Sequence, residues 1–346
     1  MKKRLMNVLA ISFCALLFTT TVIGIVNETN AKTMTLNFGT TQARSSYFPP
    51  RLAMAKLINK YVPDVKAIAI ESGSTYDNAQ RVQEGIFQIG SGGLQAPREQ
   101  YWGEAKWEGK PWKKVRLFMG LSDGRMLTYV RRDKNIGSWN DLSGKAFNPG
   151  FLGSAAEGIC LRQLDALPEV KPKLVRGTMA DTMKSLRRGT IVGTFKASST
   201  RKYDAGLSSV HLEIPLDIVG ITEEQTRRVQ QKYPDIIFCY IEKGQYKESP
   251  ESGDFWAEAS QNGQWVTTDL SEEIVYGMVK AIYEHYEEVV KTFAAAGWVD
   301  PLKMITETAA KAAPQAYAPL HSGVVRYCRE IGLEVPKSLI PPEYKK

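Results

Sequence analysis

Two polar, glycine-containing segments carry the residue types that hold an anion. The first, Gly39-Thr40-Thr41-Gln42-Ala43-Arg44-Ser45-Ser46-Tyr47-Phe48-Pro49, offers hydroxyls, an amide, a guanidinium and aromatic rings at the mouth of a helical pattern. Arg44 has the planar fork that pairs bidentately with a carboxylate. Tyr47 adds an apolar wall and one hydroxyl. The second is Asn148-Pro149-Gly150-Phe151-Leu152-Gly153-Ser154-Ala155-Ala156-Glu157. Its Ser154-x-x-Glu157 is a capping box, so a helix starts at Ser154 and the free amides around Gly153, Ser154 and Ala155 face back into the loop. Unpaired N–H groups and the helix dipole favour an anion there without any arginine. For each segment the alternative is a capped helix or hydrophilic turn that binds nothing. Ser74, Ser91 with Gly92, and Ser198 with Ser199 add hydroxyls at further loop–helix junctions. Serine is common at such caps; their shared place after successive strands is what groups them into one ligand-contact set.

Chemistry of other kinds is missing from the sequence. His211, His285 and His321 lie far apart and form no HExxH or comparable ligand spacing, which argues against zinc. No GxSxG elbow, Walker loop, GxGxxG fingerprint or C-x-x-C pair occurs. Adjacent carboxylates such as Glu223-Glu224 and Glu287-Glu288 do not face one another on a helix. Cys160 is the one nucleophile near a candidate loop. Neither a metal nor an organic cofactor is expected, and binding fits the sequence better than catalysis.

The elements that must position these loops alternate strand and helix. Met34–Phe38, Val65–Ile70, Ile86–Ile89, Val115–Leu121, Met126–Val130, Ile191–Lys196 and Ile236–Ile241 read as strands. Leu52–Lys60, the stretch after Gly73-Ser74-Thr75, Ala155–Ala166 and Met179–Arg188 read as helices, and Thr222-x-x-Gln225 caps another. Ser271 to about Ala295 is the strongest helix, with Ile274, Met278, Ile282, Val289, Val290 and Phe293 as its apolar stripe. The segment 246–268 reads as loop with little strand. This β–loop–α order predicts an open, mainly parallel sheet covered by helices. Helices that follow parallel strands place the candidate loops at the carboxyl edge of the sheet.

Bulk properties locate the chain. Lys2, Lys3 and Arg4 precede an uncharged run from Leu5 to Asn27, and Thr29-Asn30-Ala31 closes it with small and polar residues. That is a secretory signal with cleavage expected after Ala31; an uncleaved anchor is the alternative, given the length of the run. Phe13 sits where a lipoprotein signal wants a small residue, so Cys14 is signal filler. About 315 residues follow, enough for two domains, and the mature part has no second spanning stretch. The 43% hydrophobic and 24% charged composition is that of a globular protein. A formal charge of +8, with bases scattered and no denser than pairs, excludes a nucleic-acid face and fits an anionic ligand. Cys160, Cys239 and Cys328 are too few and too widely spaced for a disulfide framework; one bridge or three free thiols are both open. Trp102, Trp107 and Trp112 among Lys106, Lys110, Lys113 and Lys114 form an aromatic-packed excursion suited to a partner surface.

In their order, these loops resemble the TAXI-type solute receptors of TRAP transporters over most of the mature chain. The family's G-T-G-S-T-G-G-x-Y-Y-P aligns without gaps on Gly39–Pro49, where Gly39, Thr40, Tyr47 and Pro49 agree and Arg44-Ser45 replaces a glycine pair. Ser72-Gly73-Ser74, Asn78 and Val82 to Phe87 are similar to the next block, and Gly144 through Glu157 to G-K-R-V-S-V-G-x-P-G-S-G-T-E. Pro319-Leu320-His321-Ser322-Gly323-Val324-Val325-Arg326-Tyr327 resembles P-L-H-P-G-A-x-R-Y-Y, which makes His321 structural. The resemblance implies an α/β, two-lobed periplasmic-binding-protein fold (type II-like), with mainly parallel sheets, a hinge and a ligand cleft between lobes. It divides the chain into a signal over 1–31, a first lobe over 32–122, a second over 123–212, and a segment 213–346 that returns to the first and braces both. It also implies capture of a dicarboxylate or glutamate-like solute outside the cytoplasmic membrane and delivery to TRAP permease subunits. Ser91-Gly92-Gly93 stands where relatives often have Q-N-D, which favours a carboxylate lacking the usual amine. A receptor for an ABC importer or sensor kinase, and an enzyme reusing the fold, are the alternatives.

Overall fold

The computed structural model describes residues 33–199, 201–233, 236–311 and 314–345. The expected signal over 1–31 and Thr200 lie outside the described residues. The chain starts with β1 (Met34–Gly39), α1 (Phe48–Tyr61) and β2 (Val65–Ile70), followed by α2 (Thr75–Gln83), β3 (Gly90–Gly93) and α3 (Gln95–Trp102). Alternating apolar residues in β1 put Leu36 and Phe38 into the core. Strands β1 and β2 pair in parallel from Met34↔Val65 to Gly39↔Ile70. The strand expected over 86–89 is displaced: Ile89 makes an isolated bridge to Phe38, and the ladder proper begins at Gly90.

One strand, β4 (Val115–Arg131), then runs 17 residues where the sequence predicts two strands around a turn. Val115, Leu117, Phe118, Met119 and Leu121 belong to a first hydrophobic core. Beyond Gly124, Met126 and Val130 enter a second core and Leu127 and Tyr129 a third, on the opposite face of the same strand. After β5 (Ala146–Asn148) come α4 (Ala155–Ala166), β6 (Lys173–Leu174), α5 (Met179–Arg188), β7 (Gly193–Ser199), α6 (Ala205–Glu213), β8 (Leu216–Val219), α7 (Glu223–Lys232) and β9 (Phe238–Ile241). Helices α4 and α7 cover one face through Ile159, Cys160 and Val229; α5 and α6 cover the other through Met183, Leu186, Leu207 and Val210. Thr222 and Gln225 close their capping box as predicted.

The return path is β10 (Phe255–Thr267), which carries Ala257 in the third core and Trp265 and Val266 in the first. It pairs antiparallel with β4 from Thr267↔Val115 to Ala259↔Arg125, with register shifts at Asn262/Gly263 and Gln264/Trp265. Two long antiparallel strands thus join two bodies, crossing where Ser122–Gly124 faces Ser260–Asn262. The fold class is α/β with two lobes flanked by helices, as expected. Pairing is more mixed than the expected mainly parallel sheets. Parallel ladders join β1 to β2 and β5 to β6 and β7, while β4 and β10 run antiparallel to their partners. The sequence reading sends the chain back to the first lobe after 212. Here residues 216–257 still pack in the second and third cores, because β8 pairs with the far end of β4.

The C-terminal part is α8 (Glu272–Glu284), α9 (Tyr286–Thr292), α10 (Lys303–Lys311) and α11 (Ser322–Glu330). The single helix expected over 271–295 is broken at His285, which leaves helical geometry (φ −124°, ψ 28°) and stacks on Tyr61 with ring centroids 4.0 Å apart. His321 is buried: its Nδ1 accepts from the Gly323 N–H at 3.2 Å and its Nε2 lies 3.1 Å from the Leu270 carbonyl. Trp107 is buried on the first lobe, and its indole donates to Gln83 at 2.7 Å, so the tryptophan excursion packs inward. Among the described residues no helix is long and apolar enough to cross a membrane.

Candidate functional site

Between the two lobes lies a cavity with about 30 Å³ of internal space, enough for two or three water-sized atoms. The first lobe contributes Thr41, Ser45, Tyr47, Arg51, Ser74 and Thr75; the second contributes Met126, Phe151, Ser154, Ala155, Ala156, Lys196 and Ala197; Asn262 comes from the crossing strand β10. Three chain features converge there: the end of the loop after β1, the start of α2 and the start of α4. Ser74 holds φ +85°, a conformation that non-glycine residues keep only when their surroundings enforce it, and makes no side-chain cap bond. Ser154 caps α4 by accepting from the Glu157 N–H at 3.2 Å. The reciprocal half of that box is shifted by one residue: the Glu157 carboxylate accepts from Gly153, not from Ser154.

Arg51 dominates the electrostatics. Its side chain is 1% exposed, Nη2 donates to the Asn262 side-chain carbonyl at 2.6 Å, and Nε has no partner. The guanidinium carbon lies 5.6 Å from the Tyr47 ring centroid. Burial pulls the guanidinium down to about 9, which leaves it protonated at neutral pH, and pushes the Tyr47 phenol up to about 12, which leaves it neutral. A buried cation with one neutral bond and a spare donor is unfavourable unless an anion completes it. Arg51 also stands in the first turn of α1, where the helix dipole opposes a cation. Lys196, the second cation, is 4% exposed, and its Nζ lies 3.2 Å from Asp204 Oδ2. That carboxylate also accepts from Ser46 of the first lobe at 2.7 Å.

Five of the residues predicted from sequence line this cavity: Thr41, Tyr47, Ser74, Ser154 and Ala155. The others stand around it. Arg44 is exposed and outside the lining, and Gln42 is half-exposed with its carbonyl accepting from Ser45. Thr40 donates to the Ile70 carbonyl at 2.7 Å and Ser91 to the Gly39 carbonyl at 2.7 Å. Both are gathered by Asn78, whose amide donates to the carbonyls of Thr40 (2.8 Å) and Ser91 (2.7 Å). A side chain at Gly92 would meet Thr75 Oγ1 at 2.3 Å, so this glycine serves close packing of α2 on β3. The Gly153 carbonyl accepts from the Tyr76 N–H at 3.0 Å, a contact between the lobes. Ser198 and Ser199 lie in β7, not in a loop, and both hydroxyls donate to the Lys202 carbonyl. Arg51, Lys196 and Asn262 are polar groups of the lining that the sequence reading missed.

A second cavity of about 280 Å³ lies beyond the Tyr76–Gly153 contact, against Lys106, Glu157, Arg162 and Arg176. Its two arginines are matched, Arg176 with Glu157 at 2.6 Å and Arg162 with Glu99 at 3.7 Å, and the Lys106 ammonium lies 5.0 Å from the Tyr76 ring centroid. The smaller cavity holds a buried guanidinium with a donor left over, and we take it as the site. Cys160, Cys239 and Cys328 are unbridged, and burial raises all three thiols, Cys239 to about 11 and Cys328 to about 12, so none is poised as a nucleophile. No metal-binding cluster of His, Cys, Asp or Glu occurs among the described residues.

Fold and site define a two-lobed α/β protein with a cavity between its lobes. The chain belongs to the NMT1-like family, which it matches over residues 38–332. No curated protein matches it. Among solved structures it is similar to an ancestral arginine-binding protein bound to arginine, with TM-score 0.49 and 15% identity over 75% of this chain and 96% of that one. It is also similar to the substrate-binding protein of an amino acid ABC transporter (TM-score 0.47, 13% identity, 75% and 97% covered). A third likeness is to the alkanesulfonate-binding protein SsuA from Xanthomonas axonopodis pv. citri bound to MOPS (TM-score 0.43, 14% identity, 89% and 96% covered).

Proposed function

We propose that this chain is a non-catalytic, extracytoplasmic receptor that closes its lobes on a small organic anion and passes it to a membrane permease. The observation that carries this reading is Arg51: a buried guanidinium with a spare donor, facing an interlobe cavity and bonded to a strand that crosses between the lobes. An anion at this point takes the open donor and offsets the desolvation of the cation. Ser74, Thr75 and the capped start of α4 then bring hydroxyls and helix amides to the same ligand from both lobes. Closure follows because full coordination needs both lobes at once. The crossing at Ser122–Gly124 and Ser260–Asn262 is the hinge, and residues 125–259 form the second lobe. With residues 1–31 as an export signal and the family-like loops, the delivery partner is a TRAP-type permease and the solute a dicarboxylate or glutamate-like anion. Calorimetry of the mature chain, unfolded and refolded to strip ligand, tests this against a panel of organic acids and amino acids. Silence across the panel refutes the receptor reading; turnover of a bound compound refutes its non-catalytic part. Uptake after reconstitution with TRAP rather than ABC membrane subunits tests the partner.

A further inference from the structure

We infer that the cavity selects organic anions that carry no ammonium group, such as 2-oxo or plain carboxylates, over the corresponding amino acids. This rests on the receptor reading above and narrows its solute class. An amino-acid site needs a cation for the carboxylate and an acid or a set of carbonyls for the ammonium. The cavity supplies the first through Arg51, since Lys196 is already paired with Asp204 at 3.2 Å, and none of its described lining residues is Asp or Glu.

The carboxylates nearby are committed elsewhere. Asp204 is 1% exposed; its Oδ2 accepts from Lys196 at 3.2 Å and from Ser46 at 2.7 Å, and its Oδ1 accepts from the Gly206 N–H at 3.0 Å. An incoming ammonium would have to displace one of these donors. Glu157 turns away, to the Gly153 N–H at 2.8 Å and Arg176 at 2.6 Å. Asp123 lies 3.3 Å from Arg125. Arg51, in contrast, keeps its Nε open. Of the remaining walls, Met126, Ala155 and Ala197 solvate carbon and not charge, and the Phe151 ring already faces the Lys196 ammonium at 5.3 Å. An ammonium held roughly 5 Å from a guanidinium, at an effective dielectric of about 20, is disfavoured on the order of 100-fold.

The test is calorimetry on the stripped mature chain with matched pairs: alanine and pyruvate, leucine and 4-methyl-2-oxopentanoate, glutamate and 2-oxoglutarate, aspartate and succinate. In every pair with measurable binding, the nitrogen-free member should bind about 100-fold more tightly. Equal affinities within a binding pair, or a tighter amino acid, overturn the inference and leave the receptor reading standing. No binding in any pair sinks both. Native mass spectrometry of ligand carried through purification gives an independent readout: a nitrogen-free anion supports the inference, and an amino acid overturns it.

Discussion

Replacing Arg51 with Met removes the charge at nearly constant volume and separates a ligand contact from a structural one. Burial lowers the guanidinium from 12.5 to about 9, and that shift corresponds to roughly 5 kcal/mol of unfavourable desolvation in the ligand-free protein. The variant escapes this cost. It loses the 2.6 Å bond to Asn262, about 2 kcal/mol once that carbonyl is left unpaired, and the Tyr47 ring contact, about 1 kcal/mol. The balance is a ligand-free protein about 2 kcal/mol more stable than the parent, visible as a thermal midpoint higher by a few degrees. Affinity moves the other way. A carboxylate that takes the charged donor loses about 1.5–3 kcal/mol, so Kd for the best anion rises about 10- to 100-fold by calorimetry. Ligand present at 100 times the parent Kd stabilises the parent by about 2.7 kcal/mol and the variant by much less. A Kd within about threefold of the parent refutes Arg51 as the anion contact. A midpoint several degrees lower refutes the claim that the charge is strained when unliganded.

Arg44→Gly serves as the paired control: the exposed Arg44 lies outside the cavity, so Kd should stay within about twofold, and a 100-fold loss would move the site into the first loop. Burial depresses His321 from 6.5 to about 4, so the unfolded chain takes its proton first as the pH falls. Stability is therefore intact above about 6.5 and declines between 6.5 and 4 by about 3 kcal/mol; His321→Asn, which retains an acceptor for the Gly323 N–H, should flatten that part of a urea-denaturation pH profile. Arg116, 4% exposed, is gripped by Glu343 through bonds of 2.8 and 2.7 Å, and the half-exposed Glu343→Gln should cost about 1–3 kcal/mol in chemical denaturation by leaving a buried guanidinium underpaired. No loss in that variant would show that the C-terminal tail does not brace the first lobe.

What could be read from the chain follows how local each signal is. Strand β2, helix α5 with its Gly189 stop (φ +70°) and the Thr222–Gln225 box depend on neighbours within a few residues, and their expected bounds match. Strand β10 was hidden because its role is not local. Glu258, Ser260, Asn262 and Gln264 are buried polar residues on a crossing strand, so they lack the apolar alternation that marks a half-exposed strand. Ser198 and Ser199 misled for the opposite reason, since their polarity suggests a loop while the β4 ladder holds them in β7. The two arginines show the same division at the site. Arg44 sits in a polar loop and looks available, which is also why it stays in water. Arg51 sits inside a helix, among Pro50, Ala53, Met54 and Ala55, all of which are buried. A lone base in the apolar first turn of a helix, directly after Pro49-Pro50 and against the dipole, is the signal that was present in the sequence. A buried charge placed where neither solvent nor the helix favours it is the stronger mark of a ligand site, because something other than local structure has to hold it there.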